Sequence, residues 1–155
     1  MSRIALDRLA PDAGLEEVLA DGLTEVERSL RHAVTSEYPF VTEASRHLVD
    51  AGGKRFRPLL VLLAAQFGAG NTRPVIDAAV VVELTHLATL YHDDVMDEAK
   101  IRRGAVSANA RWDNTVAILT GDFLFARASD ILADLGPEAV RVQARTFERL
   151  CTGQI

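Results

Sequence analysis

Cysteine is nearly missing from this chain of 155 residues; with Cys151 alone, no intrachain disulfide framework can form. An unpaired thiol suits a reducing compartment, so a cytoplasmic location is expected. Long apolar runs are missing too. The longest, Leu59 to Ala65, falls far short of the roughly 20 residues that a membrane-spanning helix needs, so no transmembrane segment is expected. Met1 to Pro11 alternates charged and apolar residues and lacks the apolar centre of a secretory signal. Positive charge is not in excess either. The net charge of -5 argues against a general nucleic-acid binder, although local basic clusters occur. No segment alternates as a β-strand would, and there is no internal repeat and no low-complexity tract.

What is present is enough for one core: hydrophobic residues make up 48% of the chain and charged residues 25%. Nearly every segment has helical periodicity. Leu15, Val18, Leu19, Leu23, Val26 and Leu30 form the apolar side of a first helix that ends before Tyr38-Pro39. A second helix is expected from Val41 to Asp50, stopped by Gly52-Gly53. Pro58 suits the first turn of a third, running to Phe67. Pro74 opens a fourth that extends to about Glu98, and a basic turn from Lys100 to Gly104 follows. Asp113 or Asn114 caps a fifth that reaches Leu135, and Gly136-Pro137 separates it from a sixth. The expectation is an all-α protein of about six helices.

The segment Tyr91-His92-Asp93-Asp94-Val95-Met96-Asp97-Glu98 places four carboxylates within six residues. Asp93 and Asp97, at i and i+4, share a helix face one turn apart and repel each other. They also lie at the negative end of the helix dipole. Both features ask for a compensating cation. Carboxylate oxygens suit Mg²⁺, which takes one or two protein carboxylates together with substrate phosphates. Lys100, Arg102 and Arg103 come next, and arginine's planar fork matches phosphate. Acids that hold a metal beside arginines that hold phosphate describe a metal–diphosphate site. Taken alone, the acidic string also fits a solvated helix end.

A second basic cluster is Gly52-Gly53-Lys54-Arg55-Phe56-Arg57-Pro58. Its glycines let backbone N–H groups approach an anion at a helix N-terminus, and Lys54 and Arg57 add full charges. It lacks the spacing of a Walker A loop. His86 lies seven residues before Asp93, so His86, Leu90, Asp93 and Asp97 fall on one stripe and a phosphate contact becomes credible.

Gly53-Lys54-Arg55-Phe56-Arg57-Pro58, His86, Asp93-Asp94-Val95-Met96-Asp97, Arg102-Arg103-Gly104 and Gly121-Asp122-Phe123-Leu124 together closely resemble the trans-prenyl diphosphate synthases, or polyprenyl synthetases. The resemblance runs from about Leu15 to Ile155. It implies a helical bundle of the isoprenoid synthase type, and a reaction that joins isopentenyl diphosphate to an allylic diphosphate. By resemblance, Asp93 and Asp97 bind Mg²⁺, and Arg102 contacts the allylic diphosphate. Lys54, Arg57, His86 and Arg103 hold isopentenyl diphosphate. Ala88 and Thr89 line the tunnel for the growing tail; both are small, which favours a product longer than farnesyl. Complete family members run to about 300 residues, roughly twice this length. They carry a second aspartate-rich motif, and none occurs between Asp113 and Ile155. Residues 1–155 are therefore expected to be the N-terminal part of a single synthase domain, inactive alone, from a protein that forms a homodimer when complete. Two other readings stand beside this one. One is a non-catalytic diphosphate-binding subunit or truncated remnant. The other is an HD-type metal phosphohydrolase built on His92-Asp93, with His47 as a second histidine.

Overall fold

The computed structural model describes residues 13–155; the expectation for Met1 to Pro11 lies outside the described residues. Helix α1 (Ala13–Ala33) buries Leu19, Leu23, Val26 and Leu30, as their spacing predicts, whereas Val18 stays 41% exposed. Pro39 occupies the first turn of α2 (Pro39–Asp50), where a missing N–H costs nothing. The Gly52-Gly53 break leads into α3 (Phe56–Ala65).

The central element is α4 (Arg73–Met96), which packs against α1, α3 and α6 (Asn114–Leu135). It is apolar nearly all round, the pattern of a helix enclosed by its neighbours. By length and composition it could cross a membrane, but 56% of that apolar window is buried inside the protein. Leu84, Leu87, Ala88 and Tyr91 are fully buried. Each fully buried leucine contributes about 1.5–3 kcal/mol. The Tyr91 hydroxyl donates to the Ala44 carbonyl at 2.6 Å and accepts from the Leu48 N–H at 3.2 Å, fastening α2 to the bottom of the acidic segment. Burial pushes the Tyr91 hydroxyl's pKa well up, so it remains a neutral donor.

Two features depart from the sequence expectation. The basic turn is a β-hairpin of strands β1 (Ile101–Arg102) and β2 (Ala105–Val106), in register Ile101↔Val106 and Arg102↔Ala105. A four-residue helix, α5 (Ala108–Arg111), follows, so the described residues hold seven helices where about six were expected. Asp113 caps α6, its side chain accepting from the Val116 N–H at 2.8 Å. Gly121 lets α6 approach α4 closely, because a Cβ there would run into the His92 ring and lie 3.1 Å from the Ala88 carbonyl oxygen. Helix α7 (Pro137–Gln154) buries no residue completely. It touches the body through Phe147 on Phe125, with ring centroids 4.6 Å apart, and through Gln143, which donates to Thr85 Oγ1 at 2.7 Å.

Candidate diphosphate and metal site

The C-terminal end of α4, the glycine loop before α3 and the β1–β2 turn meet at one end of the bundle. Asp93, Asp94 and Asp97 occupy the last turn and C-cap of α4 and have unequal surroundings. Asp94 is fully buried, Asp93 is half-buried, and the Asp97 side chain is 63% exposed. Burial, and then the neighbouring Asp97, raises the Asp93 pKa above the ordinary carboxylate value. Asp94 Oδ1 accepts from Arg102 Nε at 2.6 Å, while its Oδ2 is buried without a hydrogen-bond partner. Arg102 also comes within 3.9 Å of Asp97. The hard oxygen donors, the mutual repulsion and the unsatisfied Asp94 oxygen together fit a divalent cation. Among the described residues, no group of three or more His, Cys, Asp or Glu side chains is placed to hold a metal ion. A pair of carboxylates is what Mg²⁺ commonly accepts when phosphate oxygens complete its shell.

The cationic half separates into two kinds of residue. Lys54 and Arg57 are exposed, and neither side chain has an ion-pair partner among the described residues. Arg55, between them, is 3% exposed. It binds Glu27 through Nε, donates from Nη1 to Glu83 at 2.9 Å and from Nη2 to the Val49 carbonyl at 3.0 Å. Arg103 lies beneath the glycine loop, donating to the Gly52 and Leu48 carbonyls and reaching Glu83 at 3.7 Å. Gly53, at φ 154°, is constrained twice: by its backbone, and because a Cβ would lie 2.9 Å from Arg103 Nη1. His86 is half-buried on the same side of α4. Burial, followed by the fields of Arg57, Arg103, Arg102 and Arg55, pushes its pKa from 6.5 down to about 4. It is a neutral imidazole at neutral pH.

The candidate site residues lie on α4, on the glycine loop with the first turn of α3, and on the β1–β2 hairpin, whereas Gly121-Asp122-Phe123-Leu124 lies on α6. Ala88 is fully buried at the α4–α6 seam, one helical turn before His92. Thr89 is half-buried, and its hydroxyl donates to the His86 carbonyl at 2.8 Å. Sequence reasoning missed Glu27, Glu83 and the Asp94–Arg102 pair. A signal for Glu83 existed, since a lone acid in Val80-Val81-Val82-Glu83-Leu84 must be paired if that run is buried. The histidines of the HD reading have separate surroundings. His47 Nε2 meets the Val106 carbonyl at 2.6 Å, whereas His92 Nε2 meets the Ile118 carbonyl at 3.1 Å and Asp122 at 3.4 Å.

The sequence model of the family described as Polyprenyl synthetase matches residues 38–155. A nonaprenyl diphosphate synthase of Mycobacterium tuberculosis is 50% identical over 145 residues, which are 93% of this chain and 43% of that protein. Heptaprenyl diphosphate synthase component 2 of Geobacillus stearothermophilus is 49% identical over 138 residues, 88% of this chain and 43% of that protein. A crystal structure of geranylgeranyl pyrophosphate synthase from Corynebacterium glutamicum, complexed with calcium and isoprenyl diphosphate, superposes with a TM-score of 0.82. It is 51% identical, over 93% of this chain and 44% of that one. The chain thus spans less than half the length of these relatives.

Proposed function

The chain belongs to the polyprenyl synthetase family, and on that premise we propose that it forms the N-terminal part of a prenyltransferase. The enzyme joins isopentenyl diphosphate to an allylic diphosphate and makes a polyprenyl diphosphate longer than farnesyl. The observation that carries this reading is the gathering of acids and cations along the C-terminal half of α4: Asp94 and Asp97 pair with Arg102, and Arg57, Arg103 and Arg102 lie close enough to His86 to act on its charge.

In this reading Asp93 and Asp97 hold Mg²⁺, and the calcium in the Corynebacterium relative supports a divalent cation in that role. When bound, the ion neutralises the leaving diphosphate and makes ionisation to an allylic cation easier. Arg102 turns from Asp94 and Asp97 to the allylic diphosphate. Lys54 and Arg57 supply charge to isopentenyl diphosphate, and Arg103 adds a guanidinium from below. His86, neutral, offers a hydrogen bond without a further charge. The alkene of isopentenyl diphosphate attacks the cation, a carbon–carbon bond forms, and a proton leaves. Thr89, with Ala88 beside it, lies one turn or more below Asp93, where small side chains leave room for the tail. Thr89→Phe is expected to shorten the product while the first condensation continues, read by chromatography of dephosphorylated products. An unchanged distribution overturns the tunnel assignment.

The reaction is placed in the cytoplasm, for which the exposed, unpaired Cys151 is suited. The complete protein is read as a homodimer. The relative named component 2 supports a second reading, in which this chain works with a different subunit. Light scattering of the complete protein, alone and mixed with a candidate subunit, separates the two. Residues 1–155 carry one acidic motif, and we expect no condensation by them alone. The central test is Asp93→Ala in the complete protein. Turnover is expected to fall on the order of a hundredfold, as when a preorganised electrostatic group is removed. Unchanged turnover with intact folding overturns the reading.

A further inference from the structure

We infer that Glu83 is a positioning residue that sets the isopentenyl diphosphate site by holding Arg55 and Arg103 at one carboxylate. The inference rests on the reading of that site given above. The Glu83 side chain is 2% exposed in the middle of an apolar stretch of α4. A carboxylate there is costly unless it is paired and hydrogen-bonded. Its partners come from two segments far apart in sequence: Arg55 from the glycine loop, with Nη1 at 2.9 Å, and Arg103 from the hairpin turn, with Nη2 at 3.7 Å. Glu27 binds Arg55 but not Arg103, so among the described residues Glu83 alone reaches both guanidiniums.

Backbone geometry points the same way. Arg55 has φ 48° and Arg103 has φ 53°, both in the left-handed region that disfavours a side chain. Such conformations persist where surrounding contacts over-determine them. Arg103 also donates to Leu48 and Gly52, so the end of α2, the glycine loop, the hairpin and α4 are fastened around one acid. Two acids, Glu27 and Glu83, balance two arginines, Arg55 and Arg103. The exposed Lys54 and Arg57 keep their charge for an incoming diphosphate. Glu83 would therefore act without touching substrate, by fixing the loop that carries Lys54 and Arg57 relative to Arg103 and His86.

The test is Glu83→Gln in the complete protein, which keeps the shape and removes the charge. KM for isopentenyl diphosphate is expected to rise about tenfold or more, the scale of a hydrogen bond to a charged group, while KM for the allylic substrate stays at the wild-type value. Glu27→Gln loosens Arg55 and Arg31, the latter 3.9 Å away, without touching Arg103, and is expected to lower the melting temperature with a smaller rise in KM. If Glu83→Gln does not fold, Glu83→Asp keeps the charge one methylene short and should still raise KM for isopentenyl diphosphate above wild type while leaving that for the allylic substrate unchanged. Calorimetric titration with isopentenyl diphosphate reads the same site without turnover. Wild-type binding without condensation would defeat the proposed reaction yet leave the Glu83 comparison to be judged on affinity. Lower stability with wild-type isopentenyl diphosphate binding, or an equal rise in both KM values, would reduce Glu83 to a purely structural ion pair and overturn the inference.

Discussion

Arg55 and Arg57 stand two residues apart in one loop and have opposite surroundings. Arg55 is enclosed, with two carboxylates and two backbone carbonyls on its guanidinium; Arg57 is exposed and has no ion-pair partner among the described residues. A formal charge tells little about what a residue does until its burial is known. An arginine already neutralised by buried acids holds the fold together, whereas one facing solvent can still bind an anion. Lys54, exposed on the same loop, falls with Arg57.

The sharpest break is Arg55→Ala. Removing it leaves Glu83 buried with only the more distant Arg103, and loss of one partner of a buried pair costs about 3–5 kcal/mol. Urea unfolding is expected to show a fall on that scale, whereas Lys54→Ala should stay within about 0.5 kcal/mol of wild type. Gly53→Ala comes next. A side chain at that backbone angle costs about 1–3 kcal/mol, and its Cβ would press on Arg103, so both stability and isopentenyl diphosphate affinity should fall. Arg57→Ala reverses the pattern. KM for isopentenyl diphosphate is expected to rise by the equivalent of about 1.5–3 kcal/mol, with the urea midpoint unchanged. An equal loss of affinity for the allylic substrate would argue against separate sites.

The smallest effect concerns His86, which lies among both sets of cations. Its pKa falls from 6.5 to about 4 in the folded chain, so between those values the unfolded chain takes up a proton that the folded chain refuses. Stability is therefore expected to decline as pH falls from 6.5 towards 4. His86→Gln should make that decline shallower, measured as the difference in urea midpoints between the two proteins at each pH. Parallel profiles would show that burial and the neighbouring cations act on His86 more weakly than the structure indicates.

Much of the fold could be read from punctuation. Pro39, Gly52-Gly53, Pro74, Asp113 and Gly136-Pro137 mark element ends because each limits the backbone or satisfies it in a way periodicity alone does not. The hairpin and α5 escaped because two-residue strands and a four-residue helix are shorter than any window in which a period can register. Asp93 and Asp97 were legible because their relation is local, one turn along one helix. Arg55's partners were not: Glu27 and Glu83 each lie 28 residues away, on different helices. The Asp94–Arg102 pair, eight residues apart, depends on the chain reversing at the end of α4.

That reversal makes the hairpin a surface turn whose length is not free. Each strand contributes only two residues, and Arg102 is paired opposite Ala105. Adding or deleting one residue between Asp97 and Ile101 would leave the hairpin's own pairing intact but shift the hairpin against α4, taking Arg102 away from Asp94. A deletion would carry the next arginine towards Asp94 and away from the loop it supports. Surface turns commonly tolerate changes in length, but this one should show the opposite history among its descendants: substitutions outside its arginines accepted, insertions and deletions refused.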